Sequence, residues 1–182
     1  MIAAGADVDT SAQCDTPLLL AARGPCPEIV NLLLKKGASP KSRDADGETA
    51  LLLAINAASR SSEPKIREQE LQTATILLNA GVDPNQGTQF FGTPLPSASR
   101  QGNLPMVRLL IERGAHVNTA DTLGWTALHC AASNGDLEMV KILLGHGADL
   151  RAENSDKKSA LALVKGPQAE GIKAELLKHG AH

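Results

Sequence analysis

Residues 121–149 read DTLGWTALHCAASNGDLEMVKILLGHGAD, and this stretch is the clearest copy of a unit that recurs along the chain. Each copy contains a Thr/Ser-Pro/Ala-Leu tripeptide, and the tripeptides begin at Thr16, Thr49, Thr93, Thr126 and Ser159. Their spacings are 33, 44, 33 and 33 residues. A fixed period of this length predicts a stack of similar supersecondary units, each packed on its neighbours, rather than one closed core.

The residues of this copy predict two short helices. Thr126 suits the N-cap of a first helix that runs to about residue 132 or 133, where Gly135 ends it. A second helix is predicted over Leu137–Leu144, because apolar side chains at 139, 140, 143 and 144 form one buried face. Gly147 then supplies the left-handed residue that terminates this helix. One such helix pair cannot bury its apolar side alone, so neighbouring pairs must stack.

The recurring unit closely resembles the ankyrin repeat. The matching residues in this copy are Thr126-Ala-Leu-His129, Ala131-Ala132, Gly135, Glu138, Val140, Leu143-Leu144 and Gly147-Ala148-Asp149. The resemblance extends over almost the whole chain in five registered copies. It implies an all-α solenoid of stacked helix–turn–helix repeats with projecting β-hairpin-like loops, here called fingers. It also implies a concave face lined by the first helices, and a binding role rather than catalysis.

By this resemblance the chain is one ankyrin repeat domain, 1–182, made of a partial repeat and five complete repeats. The predicted boundaries are 1–9 (partial), 10–42, 43–86 with an insertion near 57–69, 87–119, 120–152 and 153–182. The last repeat carries Lys173 and Glu175 at positions that are apolar in repeat 4, which is typical of a C-terminal cap. Residues 1–9 read as the tail of a repeat, so we expect further repeats upstream.

Two repeats depart from the pattern. Repeat 2 has eleven extra residues within Ala57–Gln69, and its second helix is predicted to begin near Ser62 or Glu63, with Pro64 in the first turn, and to end near Asn79. In repeat 3, Pro96 predicts a short or bent first helix. The glycine of the Phe91-Gly92-Thr93 segment is displaced from its usual place, which predicts a different turn in that finger.

Composition restricts the classes of function. Apolar residues make up 42% of the chain and aromatics only 2%, so the core must consist of Leu, Ile, Val and Ala. The net charge of −2 excludes a basic surface for nucleic acid at the level of the whole chain. Cys14, Cys26 and Cys130 are interpreted as free thiols, which indicates an intracellular, cytoplasmic or nuclear protein. No secretory signal or membrane span is recognisable, and we expect a monomer without membrane contact.

No catalytic constellation, cofactor motif or metal site is recognisable. Residues 44–47 read Asp-Ala-Asp-Gly, which favours a hairpin turn over an incomplete calcium loop. His129 is expected to hydrogen-bond neighbouring turns by family resemblance, and Cys130 is interpreted as a buried core thiol. His116 and His146 lie one repeat apart, but a metal pair there is disfavoured. Asn118 matches the ankyrin asparagines that a hydroxylase can modify, although turn formation is the preferred interpretation.

The aromatic residues Phe90, Phe91 and Trp125 all fall in fingers, where they either pack on one another or anchor a partner. Finger tips and the concave face are the variable sites of the family. Carried over by position, the candidate partner-binding residues are Asp46, Glu48, Asn56, Gln89, Phe90, Phe91, Arg100, Gln101, Thr122, Leu123, Trp125, Ser133, Asn134 and Lys157. The leading hypothesis is a non-catalytic module that binds a protein or peptide. The alternatives are a regulatory or targeting segment of a larger multidomain enzyme, and a structural spacer.

Overall fold

A computed structural model describes residues 8–9, 15–24, 26–58, 63–88 and 92–181. Over these residues the secondary structure is helical, with isolated β-bridges but no extended strand. The predicted all-α ankyrin class is therefore confirmed. The chain divides into two compact units, residues 1–88 and 89–182.

The first compact unit contains two helix pairs side by side. Its helices are α1 (Pro17–Ala22), α2 (Pro27–Lys35), α3 (Ala50–Ala58) and α4 (Pro64–Asn79). Helix α1 packs on α2 and α3, while α4 packs on both α2 and α3. Each first helix thus contacts the next first helix, and each second helix contacts the next second helix.

The second compact unit repeats this arrangement. Its helices are α5 (Pro94–Arg100), α6 (Leu104–Glu112), α7 (Ala127–Asn134), α8 (Leu137–Gly145), a short 3-10 helix (Leu161–Leu163) and α9 (Ala169–Lys178). Helix α5 packs on α6 and α7, and α7 packs on α8 and the 3-10 helix. Helix α9 packs on α8. In the last repeat, the 3-10 helix occupies the place that an α-helix has in the other repeats.

Short polar side chains begin several of these helices. The Thr16 and Thr126 hydroxyls accept hydrogen bonds from the third backbone N–H of α1 and α7, as the sequence predicts for Thr126. Asn103 and Asp136 do the same for α6 and α8. Thr93 differs, because the third residue of α5 is Pro96, which has no backbone N–H to donate. The Thr93 hydroxyl instead donates to the Thr119 hydroxyl at 3.0 Å.

The helix ends and the buried face of repeat 4 also agree with the sequence. Gly135 ends α7 with φ +73°, and Gly147 follows α8 with φ +83°, both in the left-handed region that favours glycine. Residues 139, 140, 143 and 144 of α8 are all buried. The prediction of a single apolar stripe is therefore confirmed.

The insertion in repeat 2 mainly lengthens a helix. Helix α4 has 16 residues, whereas α2, α6 and α8 have nine each. Glu63 is its N-cap and Pro64 its first residue, so the predicted start and the predicted end at Asn79 are both confirmed. Ser62 lies outside the described residues.

Pro96 does not interrupt α5. The helix runs continuously through seven residues and is one residue shorter than α7. Pro96 is its third residue, where a backbone N–H has no partner within the helix, so the missing donor removes no helical hydrogen bond. Because α5 is one residue longer than α1, the shortening predicted from Pro96 is not seen.

None of the helices that the structure describes is both long enough and apolar enough to cross a membrane.

Candidate functional site

Three fingers share one hydrogen-bonded turn. The side-chain oxygens of Asp44, Asp121 and Asn154 each accept backbone N–H groups two and four residues further on, at 2.8–3.0 Å. The backbone N–H of each of these residues also donates to the carbonyl four residues later. Antiparallel bridges Arg43↔Thr49 and Ala120↔Thr126 close two of the fingers. The predicted hairpin-like fingers are therefore confirmed, and the turn accounts for residues 44–47 without calcium.

A salt bridge holds two of these fingers to the preceding repeat. The Arg23 guanidinium lies 2.8 Å from the Asp44 carboxylate, and Arg100 makes the equivalent contact with Asp121. Each arginine follows its repeat's Thr by seven residues, and each aspartate lies 21 residues beyond its arginine. Sequence reasoning missed this contact, although the equivalent Arg in repeats 1 and 3 and the equivalent Asp in repeats 2 and 4 were a readable signal.

Trp125 packs on its own compact unit. The Arg100 guanidinium carbon lies 5.8 Å from the centre of the Trp125 ring, a cation–π contact. The His129 ring is 6.1 Å from the Trp125 ring at an interplanar angle of 58°. Trp125 is therefore half-buried and held in place. Packing on Phe90 and Phe91 was one of the two alternatives from the sequence, and both of these residues lie outside the described residues.

His129 links the start of its helix to the next finger. Its Nδ1 accepts the backbone N–H of Thr126 at 3.1 Å, which completes a capping box. The proton therefore resides on Nε2, which donates to the Lys158 carbonyl at 3.1 Å. Burial lowers the pKa of His129, so the neutral ring is the stable form. The expected role in bonding neighbouring turns is confirmed.

Cys130 is buried beside His129 on α7. Burial raises the pKa of the Cys130 thiol to about 11, which keeps it protonated and unreactive at neutral pH. This agrees with its interpretation as a core thiol. Among the residues that the structure describes, no group of three or more His, Cys, Asp or Glu is arranged to hold a metal ion.

The candidate partner-binding residues differ widely in accessibility. Those that are exposed are Asp46, Arg100, Thr122, Leu123, Asn134 and Lys157. Those that are half-buried are Asn56, Gln101, Trp125 and Ser133. Glu48 is buried, and Gln89, Phe90 and Phe91 lie outside the described residues.

Several candidates make contacts inside the domain. The Asn56 amide donates to the Glu48 carboxylate at 2.7 Å, and burial raises the pKa of Glu48 with a further contribution from Asp44. The Asn134 amide donates to the carbonyls of Ser99 and Arg100 at 3.0 and 3.1 Å. These side chains therefore also hold neighbouring elements together.

Asn118 connects successive repeats in the same way. Its amide donates to the Gly147 carbonyl at 3.0 Å, and its carbonyl accepts the Asp149 N–H at 2.8 Å. This is the turn-forming role preferred from the sequence.

Among the candidates that the structure describes, Leu123 is the most accessible apolar residue. It is 56% exposed at the tip of the repeat-4 finger, beside the exposed Thr122. Its backbone is fixed, because its N–H donates to Asp121 and its carbonyl accepts the Ser155 N–H at 2.9 Å. We call Arg100, Thr122, Leu123 and Trp125 the repeat-4 finger surface. It combines a fixed apolar tip with an arginine stacked on tryptophan, the residue types that anchor protein interfaces.

Comparison with known families agrees with this geometry. A family model described as ankyrin repeats (many copies) matches residues 1–54, and one described as ankyrin repeats (3 copies) matches residues 65–154. Residues 55–64, between the two matches, overlap the predicted insertion in repeat 2, and residues 155–182 also lie outside the matches.

Individual relatives cover a shorter stretch. The chain is 38% identical over 104 residues to the ankyrin repeat, SAM and basic leucine zipper domain-containing protein 1 of Ovis aries. The aligned region covers 57% of this chain and 20% of that protein. Its Mus musculus counterpart is 36% identical over 108 residues, which covers 59% and 21% respectively. The matched part thus spans about a fifth of the length of these relatives.

Proposed function

Because this chain belongs to the ankyrin repeat family, whose repeats generally serve as protein–protein interaction modules, we propose that it binds a protein or peptide without catalysis. The proposed contact region is the concave face together with the finger loops. Within the second compact unit, its centre is the repeat-4 finger surface.

The observation that carries this proposal is the exposed, immobilised Leu123. The contact of this 56% exposed apolar side chain with water is unfavourable, and burying it against a partner would contribute favourably to binding. Because the Asp121 and Ser155 hydrogen bonds already fix the finger backbone, little conformational entropy is lost when a partner binds. Arg100 and Trp125 beside it add the side chains most often found at energetically important interface positions.

Charge and composition support the choice of partner class. The net charge of −2 offers no general attraction for nucleic acid or anionic lipid. The free thiols of Cys26 and Cys130 suit a reducing, intracellular compartment. We therefore propose an intracellular, monomeric module whose partner is a protein.

The test is capture of partners from the organism of origin with the 182-residue chain as bait, followed by titration of the purified partner. Leu123→Ser is compared with Leu177→Ser, a matched control on α9 with the nearly equal exposure of 55%. We expect Leu123→Ser to weaken binding about tenfold or more, equivalent to about 1.4 kcal/mol. The control should bind as the wild type does. Unchanged binding by Leu123→Ser would remove the repeat-4 finger surface from the interface, and failure to retain any protein reproducibly would favour the spacer.

A further inference from the structure

Three side chains meet where the repeat-4 finger joins the preceding repeat. The Arg100 guanidinium contacts the Asp121 carboxylate through Oδ2 and lies 5.8 Å from the centre of the Trp125 ring. The residues at the same three positions of the repeat-2 finger are Arg23, Asp44 and Glu48. There too the arginine pairs with the aspartate, at 2.8 Å. In both fingers, therefore, the aspartate and the cation from the preceding repeat neutralise each other inside the domain.

The repeat-5 finger has different chemistry at these positions. The residues found 33 positions after Arg100, Asp121 and Trp125 are Ser133, Asn154 and Lys158. The Asn154 Oδ1 accepts two backbone N–H groups at 3.0 Å, as the Asp121 Oδ1 does in its own finger. The Asn154 Nδ2 therefore takes the place of the Asp121 Oδ2, the atom that faces the arginine. It is directed towards Ser133, which is the seventh residue of α7 just as Arg100 is the seventh residue of α5.

These three side chains offer hydrogen-bond donors without an internal acceptor. Asn154 is only 3% exposed, and its Nδ2 has no acceptor among the residues that the structure describes. Lys158 is exposed and Ser133 is half-buried, and within the described part of the chain neither side chain takes part in a hydrogen bond or ion pair. Because a buried N–H group without an acceptor is unfavourable, this arrangement favours binding of an acceptor from another molecule.

The charges of the finger indicate which acceptor fits. Besides Lys158, its exposed charged residues are Glu153, Asp156 and Lys157, so cations and anions balance. A phosphate group carries more than one negative charge and would be repelled by the two carboxylates. A single carboxylate suits one ammonium group better, and its two oxygens can also accept from a hydroxyl and an amide.

We propose that Ser133, Asn154 and Lys158, here called the repeat-5 corner, bind the carboxylate of an Asp or Glu side chain of the partner protein. This inference rests on the proposed function and specifies the chemistry of the partner. Leu123 lies beside the repeat-5 finger, because its carbonyl accepts the Ser155 N–H at 2.9 Å. The recognised segment therefore carries an acidic residue close to a large apolar residue.

The test begins with selection of random peptides displayed on phage against the 182-residue chain. We expect enriched sequences in which Asp or Glu accompanies a large apolar residue. Replacing the acidic residue of a synthetic peptide by its amide should weaken binding to the wild type about tenfold. The same replacement should have little effect on binding to Lys158→Met, whereas Lys141→Met, which changes an exposed lysine on α8, should retain the tenfold dependence.

A second variant pairs the repeat-5 corner internally. Ser133→Arg combined with Asn154→Asp installs the pair that Arg100 and Asp121 form one repeat earlier. This double variant should have a urea midpoint no lower than that of the wild type and should bind the selected peptide about tenfold more weakly.

The outcomes separate this inference from the proposed function. Enriched peptides without an acidic residue, or an amide replacement that weakens binding equally for wild type and Lys158→Met, would overturn the repeat-5 corner and leave peptide binding intact. If no peptide is enriched at all, the proposed function fails and this inference fails with it.

Discussion

Glu70 allows a quantitative test of how much stability is lost when a carboxyl group buried in this apolar core becomes ionised. It lies on α4 and is only 2% exposed, and its Oε2 has no hydrogen-bond partner among the residues that the structure describes. Burial raises the pKa of Glu70 from its ordinary 4.5 to about 7, against an opposing effect of Arg67. The carboxyl group is therefore neutral in the folded protein under mildly acidic conditions in which the unfolded chain is already ionised.

The sign of the effect on stability follows from this difference. Below pH 4.5 both states are protonated and Glu70 carries no penalty. As the pH rises from 4.5 to about 7, the unfolded state releases the proton more readily, so the folded state loses relative stability. Each pKa unit corresponds to about 1.4 kcal/mol, which gives a loss of up to about 3 kcal/mol above pH 7.

Glu70→Gln keeps the shape of the side chain and removes the ionisation. We expect the variant and wild type to have nearly equal free energies of unfolding at pH 4, and the variant to be more stable by up to about 3 kcal/mol at pH 8. Urea denaturation followed by far-UV circular dichroism across this range measures the difference. Glu68→Gln, an exposed change on the same helix, should shift stability by no more than about 0.5 kcal/mol. A difference between Glu70→Gln and wild type that does not vary with pH would refute the reasoning.

Three further predictions concern the fingers and helix ends. Lys157 has φ +59° at the turn position that glycine occupies in two other fingers, so Lys157→Gly should raise the unfolding free energy by about 1 kcal/mol, and a lower urea midpoint would contradict this. His129→Leu leaves buried hydrogen-bonding groups unpaired and should cost about 2 kcal/mol. Because burial lowers the pKa of His129, the contribution of this residue to stability should decrease as the pH drops below 6.5, so the difference in unfolding free energy between wild type and variant should narrow towards acidic pH. Gly135→Ala would place a Cβ 2.7 Å from the Lys165 carbonyl oxygen and should lower the thermal midpoint, whereas Gly145→Ala, which meets open space, should not.

The helical framework of this chain could be predicted because its signals are local and repeated. The Thr126 cap, the glycines after α7 and α8, and the span of α4 each depend on a few neighbouring residues. The five registered copies then compensated for repeats in which individual signals were weak. Pro96 shows the limit of such rules, since its effect depends on whether it falls in the first turn or beyond it.

The candidate site was harder to predict because a side chain's role there depends on neighbours one repeat away. Family position marked Arg100 and Asn134 as surface candidates, but their salt bridge and amide contacts involve residues 21 to 35 positions distant. Glu48 and Asn56 instead bond to each other within one repeat, across the start of α3. Glu70 was overlooked although it lies three and four residues before the buried Thr73 and Ala74 on the same face of α4, because a charged side chain interrupts the apolar pattern of that face.

In the shared finger turn, the residues that hold the backbone in place differ from those whose side chains are exposed at the tip. Asp121 and Gly124 carry the hydrogen bonds and the left-handed backbone of the repeat-4 finger, while neighbouring contacts with Arg100 and Ser155 hold it from outside. The side chains of Thr122 and Leu123 have no part in that framework. A library randomised at these two positions alone should therefore retain the fold while changing which molecule is recognised, so that mutation can redirect specificity at little expense in stability.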